Sequence, residues 1–490
     1  MTSLKKILLL TGFVLQLLPL AAQKKNDKPN VIVIYIDDLG YGDLSCYGAQ
    51  AVTTPQVDAI AKNGLRFTNG HCTSATCTPS RYALMTGVYP WREKGHNILT
   101  GDAPLIIPTD KITLPKVFKQ AGYTTGLVGK WHLGLGSEVA KNWNETIKPG
   151  PNEVGFDYSY IFPATADRVP TIFMENGKAV GLEADDTIQV NYRQKIGNDP
   201  TGKEHPELLK LKASVGHNQT IVNGIGRIGY MSGGQQARWV DEELAPTFLE
   251  KAKTFIDKNQ QRPFFLYLAW HGIHVPRMPA TMFKGKSALG FRGDAILEMD
   301  WAVGELMQQL KNLKLDKNTV IVFSSDNGPV LDDGYADEAE QKNGNHRPAG
   351  PFRGWKTSIY EGGTRVPFII SWPGKIKPGT SDAMVNQIDL LASFAAYFQI
   401  PVPDGEARDS ENLLATFTGK NKSGRSVMIE EGYGESRAIV KNGWKYIPAY
   451  GKVNEQLYDL NSDLSEKTNV ISRYPDKAAE LQKLFLEIKK

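Results

Sequence analysis

Uninterrupted apolar runs recur along the chain, and each closes on polar residues. Val31-Ile32-Val33-Ile34-Tyr35-Ile36 runs into Asp37-Asp38, and Thr125-Gly126-Leu127-Val128 runs into Gly129-Lys130-Trp131-His132. Residues 263–270 run into His271, residues 319–323 lead to Asp326-Asn327, and residues 366–371 complete the set. Runs that stay apolar instead of alternating belong to strands covered on both faces, as in a parallel sheet. Helical patterns over residues 245–258 and 295–313 lie between them. Strands alternating with helices predict an α/β fold with a doubly wound sheet.

Two stretches break the rhythm. Residues 160–235 carry no clear period and read as a large insertion, and residues 330–356 form a long polar loop. Loops of this length in an enzyme usually carry function. A helix is expected over residues 383–398, and Pro401, Pro403, Asp404 and Gly405 then mark a boundary. Beyond it, strand-like segments at 436–440, 444–448 and 457–460 and a helix at 476–488 predict a smaller α+β unit. The expected organisation is a signal peptide at 1–22, a catalytic domain at 28–400 and a C-terminal subdomain at 401–490.

Basic Lys5 and Lys6, an apolar core from Ile7 to Leu20 and small Ala21-Ala22 have the layout of a secretory signal. The core is short for a membrane span, so no stable span is expected after cleavage. No cysteine follows it, so no lipid anchor is indicated. The formal net charge of +4 falls to about +2 once Lys5 and Lys6 are removed. That near-neutral balance gives no reason to expect nucleic acid as a partner. Cys46, Cys72 and Cys77 are too few for a disulfide scaffold. Together these features predict secretion to the periplasm or outside the cell, most naturally in a bacterium.

In open α/β sheets, ligands bind outside the carboxyl ends of the strands. Those ends here carry Asp37, Asp38, Lys130, His132, His271, His274, Asp326 and Asn327. Asp37, Asp38, Asp326 and Asn327 are hard oxygen donors, which favour calcium or magnesium over zinc. A further concentration of chemistry is Cys77-Thr78-Pro79-Ser80-Arg81, continuing to Met85-Thr86-Gly87. Pro79 suits a first helical turn, and a helix N-terminus with an arginine fork suits an oxyanion.

That stretch resembles the sulfatase signature C-x-P-S-R-x-x-x-[LM]-T-G, with every fixed position present. Gly122-Tyr123-Thr124 through Gly129-Lys130-Trp131-His132-Leu133-Gly134 is similar to a second motif of the family. Asp326-Asn327-Gly328, Tyr360-Glu361-Gly362-Gly363 and Leu457-Tyr458-Asp459-Leu460 resemble later ones. The resemblance implies an alkaline-phosphatase-like fold with a small C-terminal subdomain. It implies that a maturation enzyme oxidises Cys77 to formylglycine, whose hydrate is the nucleophile. Asp37, Asp38, Asp326, Asn327 and an oxygen of modified Cys77 would hold one divalent ion, usually calcium, with magnesium second. Arg81 and Lys130 would hold the nucleophile and the sulfate, and His132 would deprotonate the second hydroxyl so that sulfate is expelled. His274 and Lys356 would grip the sulfate and the ester oxygen, with His271 behind them. Tyr458 and Asp459 would close the small unit against the large one.

The implied activity is hydrolysis of a sulfate ester, and the implied substrate a sulfated carbohydrate attacked from its end. The alternatives are a phosphate or phosphonate ester hydrolase of the same superfamily and a non-catalytic receptor for sulfated glycans. Asp167-Arg168 in the insertion and His346-Arg347 in the loop before Lys356 are candidate sugar contacts. Each pair offers an acceptor beside a donor, which suits vicinal hydroxyls. The phrases around them resemble those of bacterial sulfatases acting on galactose or N-acetylgalactosamine sulfates.

Overall fold

The structure is a computed structural model that describes residues 28–93, 97–138 and 141–490. The predicted signal segment, residues 1–22, lies outside the described residues. Among them, the central feature is a ten-stranded sheet. Its middle strand, β1 (Asn30–Ile36), is buried along its whole length. Val31, Val33 and Tyr35 enter one apolar cluster, and Ile32, Ile34 and Ile36 the cluster on the opposite face. Side chains alternate across a strand, so a strand covered on both sides needs apolar residues at every position. That is the reason for the unbroken run.

The helix at the signature, α1 (Cys77–Thr86), is buried along its whole length; Thr76 precedes it in extended conformation, and Gly87 ends it at φ +68°. β2 (Thr124–Lys130), β3 (Phe264–Trp270), β1 and β4 (Thr319–Ser325) lie side by side in the order β4-β1-β3-β2, all parallel. Between β3 and β4 the chain runs through α2 (Gly290–Asn312). The registers pair Ile36 with Trp270 and with Ser325, so the carboxyl ends of three strands fall at one level.

Two expectations are corrected. β5 (Phe368–Ser371), read as one more covered parallel strand, pairs antiparallel with β4 and with Leu65–Phe67, which makes the sheet mixed. The predicted helix at 383–398 begins only at Leu390, because Val385–Asn386 pairs as a short strand with Gly70–His71 and Gln387–Asp389 forms one tight turn. The aperiodic insertion is built from short pieces. Tyr158–Phe162, Met174–Glu175 and Lys178–Ala179 extend the sheet edge, and Gln189–Asn191 pairs with Tyr230–Ser232.

Near the C-terminus, Val427–Glu431, Arg437–Lys441, Trp444–Ile447 and Gln456–Asp459 form an antiparallel sheet. Helix Pro475–Lys489 packs Leu481 and Phe485 against Ile439, Tyr446 and Leu457.

Candidate active site

The strand ends converge as the sheet register requires. Asp37 donates its backbone N–H to the Trp270 carbonyl at 3.1 Å, and Asp326 donates to the Ile36 carbonyl at 3.0 Å. Two strained residues then turn side chains inward: Asp38 at φ +61° and His132 at φ +56°. Left-handed conformations at non-glycine residues cost of order 1–3 kcal/mol and persist where surrounding structure enforces them. Lys356 enters from the long polar loop, fixed by its N–H to the Pro329 carbonyl at 2.9 Å. The next residue, Thr357, donates to the Ala75 carbonyl at 2.7 Å, which ties this loop to the approach of α1.

Donor atoms of Asp37, Cys77 and Asp326 lie within 4.8 Å of one another, and so do those of Asp37, Asp38 and His274. Three cations balance the three carboxylates. Lys130 Nζ donates to Asp37 Oδ2 at 2.6 Å, and Arg81 Nε to Asp326 Oδ2 at 2.9 Å. Lys356 Nζ donates to Asp38 Oδ2 at 3.0 Å and to Asp333 Oδ2 at 2.8 Å. Asn327 Nδ2 donates to Asp38 Oδ1 at 2.7 Å, which leaves its own Oδ1 free. Among the described residues, Asp37 Oδ1 and Asn327 Oδ1 are buried without a hydrogen-bond partner. Buried oxygens of this kind cost free energy unless something positive meets them. Two orphaned oxygens beside two further carboxylates are the donor set a hard divalent cation takes, so the residues fit such an ion.

Electrostatics separate the groups. Burial and then the Asp37 charge push the Asp326 carboxyl up to about 6, against the pull of Arg81 and Lys130. Burial also raises Asp38, but Lys356, His274 and Lys130 outweigh it and hold its carboxyl below the usual range. Burial pushes the Cys77 thiol upward. A raised thiol is a poor nucleophile, so an unmodified Cys77 is ill suited to attack. Burial, then Lys130 and Arg168, hold His132 well below its ordinary value. The His132 Nε2 sits 2.9 Å from the Leu99 carbonyl and so carries the proton there. The other ring nitrogen, Nδ1, is buried without a partner among the described residues, an open base. His274 places Nδ1 2.6 Å from the Val275 carbonyl and turns Nε2 toward Asp38 Oδ2 at 4.0 Å.

A buried cluster at an α-helix N-terminus, with three cations and an oxygen set that fits a divalent ion, matches the chemistry that the signature implies. The family model named Sulfatase matches residues 29–400. The chain belongs to the sulfatase family. A second model, N-sulphoglucosamine sulphohydrolase, C-terminal, matches residues 353–490. The sulfatase is 49% identical over 480 residues to an N-acetylgalactosamine-6-O-sulfatase of Bacteroides thetaiotaomicron, covering 95% of this chain and 94% of that one. It is 32% identical over 406 residues to human arylsulfatase A, covering 82% of this chain and 70% of the relative. A solved structure from work on the metabolism of multiple glycosaminoglycans by Bacteroides thetaiotaomicron superposes with TM-score 0.92 at 49% identity, covering 95% of this chain and all of that one. The alkaline-phosphatase-like α/β fold is thereby established, and the enzyme is a sulfuric ester hydrolase. Its family generally uses formylglycine and a divalent metal.

The candidate sugar contacts divide. Arg168 Nη1 reaches Asp167 Oδ1 at 2.8 Å, and the Asp167 carboxylate outweighs burial and holds the guanidinium's proton more firmly. Asp167 is held well below its ordinary value, against burial, by Arg168, His217 and His274. This pair therefore borders the sulfatase cluster. His346 and Arg347 do not join it. His346 Nε2 sits 2.9 Å from Asp43 Oδ1, and Asp43 is gripped on both oxygens by Arg292. Arg347 instead lines a separate cleft. His271 is buried behind the site against Phe162 and Phe248.

Two residues of the neighbourhood escaped sequence reasoning. Asp333 holds Lys356, and His217 places Nε2 3.5 Å from Asp167 Oδ2. Both sit in aperiodic stretches where nothing local sets them apart. The Asp332-Asp333-Gly334 turn offered a faint signal for Asp333, and His217 offered none.

Proposed function

We propose that this sulfatase removes an O-sulfate from a terminal galactose or N-acetylgalactosamine residue of a sulfated carbohydrate. The observation that carries the reading is the Asp167–Arg168–His217 group beside the Cys77 cluster. It sets an acceptor between two donors, Arg168 at 2.8 Å and His217 at 3.5 Å from Asp167, as recognition of neighbouring hydroxyls requires. The substrate in the name of the Bacteroides relative makes 6-O-sulfated N-acetylgalactosamine the first compound to test.

The resident ion is proposed to be calcium, one per chain, held by Asp37, Asp38, Asp326, Asn327 and the modified Cys77. When bound, it neutralises the sulfate and favours a negatively charged nucleophile. Formylglycine, made from Cys77 by a maturation enzyme, supplies as its hydrate the oxygen for attack on sulfur. The chain's own residues do the rest. Arg81 and Lys130 fix the acidic ligands and surround the reacting group with positive charge in a buried pocket, where it acts strongly. Lys356 Nζ and His274 Nε2 flank Asp38 and take the sulfate and ester oxygens, one of them giving the departing alcohol its proton. His132 Nδ1, the open base, accepts a proton on the nucleophile's side. Residues 1–22 are proposed to direct secretion to the periplasm or beyond.

Wild-type enzyme and Cys77→Ala should be compared for sulfate release from 6-O-sulfated N-acetylgalactosamine, with mass spectrometry of the peptide holding residue 77. The expected outcome is loss of sulfur and gain of oxygen at Cys77. Cys77→Ala should keep its circular dichroism and lose turnover by a factor of at least about 10³. A wild-type rate in Cys77→Ala would overturn the mechanism, and turnover confined to other sulfated sugars would overturn the substrate.

A further inference from the structure

Between the loop that follows the carboxyl end of β1 and the one that follows β4 lies a cleft of about 700 Å³. One wall follows β1, with Gly42, Tyr47 and Gln50; the other belongs to the loop after β4, with Lys342, Asn343, Asn345 and Arg347. Its size is that of a site for one or a few sugar rings. None of the catalytic or ion-binding residues described above lines it, and neither does any Asp or Glu among the described residues.

The cleft is built, not a gap between mobile loops. Asp43, on the β1 side, is clamped by Arg292 of α2 at 2.8 Å and His346 at 2.9 Å, all three buried. Gly42 donates to the Pro348 carbonyl at 2.7 Å, and a Cβ on Gly42 would lie 2.1 Å from the Arg347 carbonyl, so the walls meet backbone to backbone. The tip is closed by Asn343 Nδ2 donating to the His346 carbonyl at 2.8 Å. On this rigid base Arg347 is exposed and has no ion-pair partner among the described residues, while Lys342 is shared with Glu338 at 2.6 Å. The cleft thus offers a free guanidinium, a half-compensated ammonium and amide groups.

We infer that this cleft is a second saccharide subsite that binds an acidic sugar unit, a uronate or a further sulfated residue, of the chain whose end is desulfated. The inference rests on the carbohydrate reading above and extends it. Amides match hydroxyls, and the free guanidinium matches a carboxylate or sulfate bidentately. It explains why His346 and Arg347 look like sugar contacts although they lie apart from Cys77: His346 braces the floor and Arg347 meets the ligand.

The test compares wild type with Arg347→Ala on four substrates: the sulfated monosaccharide, and oligosaccharides with the same sulfated end next to a neutral, a uronate-bearing or a sulfated unit. Arg347→Ala should raise KM about tenfold on one or both acidic oligosaccharides, with less than about twofold change on the other two. The acidic oligosaccharide that responds identifies the anion. No change on either, or an equal change on all four, overturns the subsite. Calorimetry of the acidic oligosaccharides with Cys77→Ala, with and without Arg347→Ala, reads binding without turnover. If no sulfated sugar is hydrolysed the substrate reading fails, whereas equal binding by the two proteins fails the cleft alone.

Discussion

Single residues show how the protein tolerates buried charge. Asp38 is sealed from water and still ionised, because Lys356 and Asn327 donate to its two oxygens. Glu298 in α2 is buried almost as completely, but the interaction opposing its burial is one backbone N–H, from Ala280 at 2.8 Å. Burial pushes its carboxyl from 4.5 up to about 7. A carboxyl raised on folding adds stability that is full below its unfolded value and is lost as pH rises through the folded one. The loss therefore falls between pH 4.5 and about 7, and amounts to roughly 3 kcal/mol at most. Glu298→Gln keeps an oxygen for Ala280 and removes the titration. Its melting temperature should exceed wild type by a few degrees at pH 8, and the gain should vanish at pH 4.5. A gain of equal size at both pH values would show that the carboxyl does not titrate in this window.

At the scale of elements, the site is a consequence of strand register, and Gly129 is its most exposed weakness. It lies near the end of β2 at φ +115°, and a Cβ there would sit 2.0 Å from the Ala269 carbonyl of β3. Backbone on a central strand cannot yield without moving Lys130 and His132. Gly129→Ala is expected to cost at least about 2 kcal/mol and to lower kcat more than thermal stability alone explains. Denaturant midpoints and rates measured on the same samples separate the two. The parallel strands and their polar ends were legible in the sequence because full burial leaves an unbroken apolar signature that stops where the buried polar cluster begins. The antiparallel sense of β5 was not, since a strand covered on both faces reads alike in either direction. The late start of the helix at Leu390 was hidden for a related reason. Asn386, Gln387 and Asp389 are buried polar residues whose partners, such as Ser324 and Arg425, come from elsewhere in the chain. Cys77, Arg81, Lys130 and His132 stood out because short motifs carry them. Asp333 and His217 act through contacts made across long loops, which no local pattern records.

On the scale of the whole molecule, a buried ammonium ties the C-terminal sheet to Glu361, in the one-turn helix Glu361–Thr364 that precedes β5. Lys445 Nζ lies 3.0 Å from Glu361, 2.8 Å from Glu430 and 3.3 Å from Glu466, and none of these side chains reaches solvent. His71 and Arg365 also meet this cluster, at 2.9 Å from Glu430 and 3.0 Å from Glu361. Removing one partner of such a group leaves buried charge without compensation, typically at 3–5 kcal/mol. Lys445→Met should therefore lower the denaturation free energy by about that much, and Lys445→Met with Glu430→Gln should recover part of it. The lock also reaches the active site. Glu361 stands five residues after Lys356, and the Gly363 carbonyl holds the N–H of Gly328, the residue after Asn327, at 2.8 Å. Loosening Glu361 should disturb both Lys356 and Asn327. Lys445→Met is thus expected to lose turnover even at temperatures where it is fully folded, by about tenfold. Turnover per folded molecule equal to wild type would show that the lock serves stability alone and that the strand ends hold the site without it.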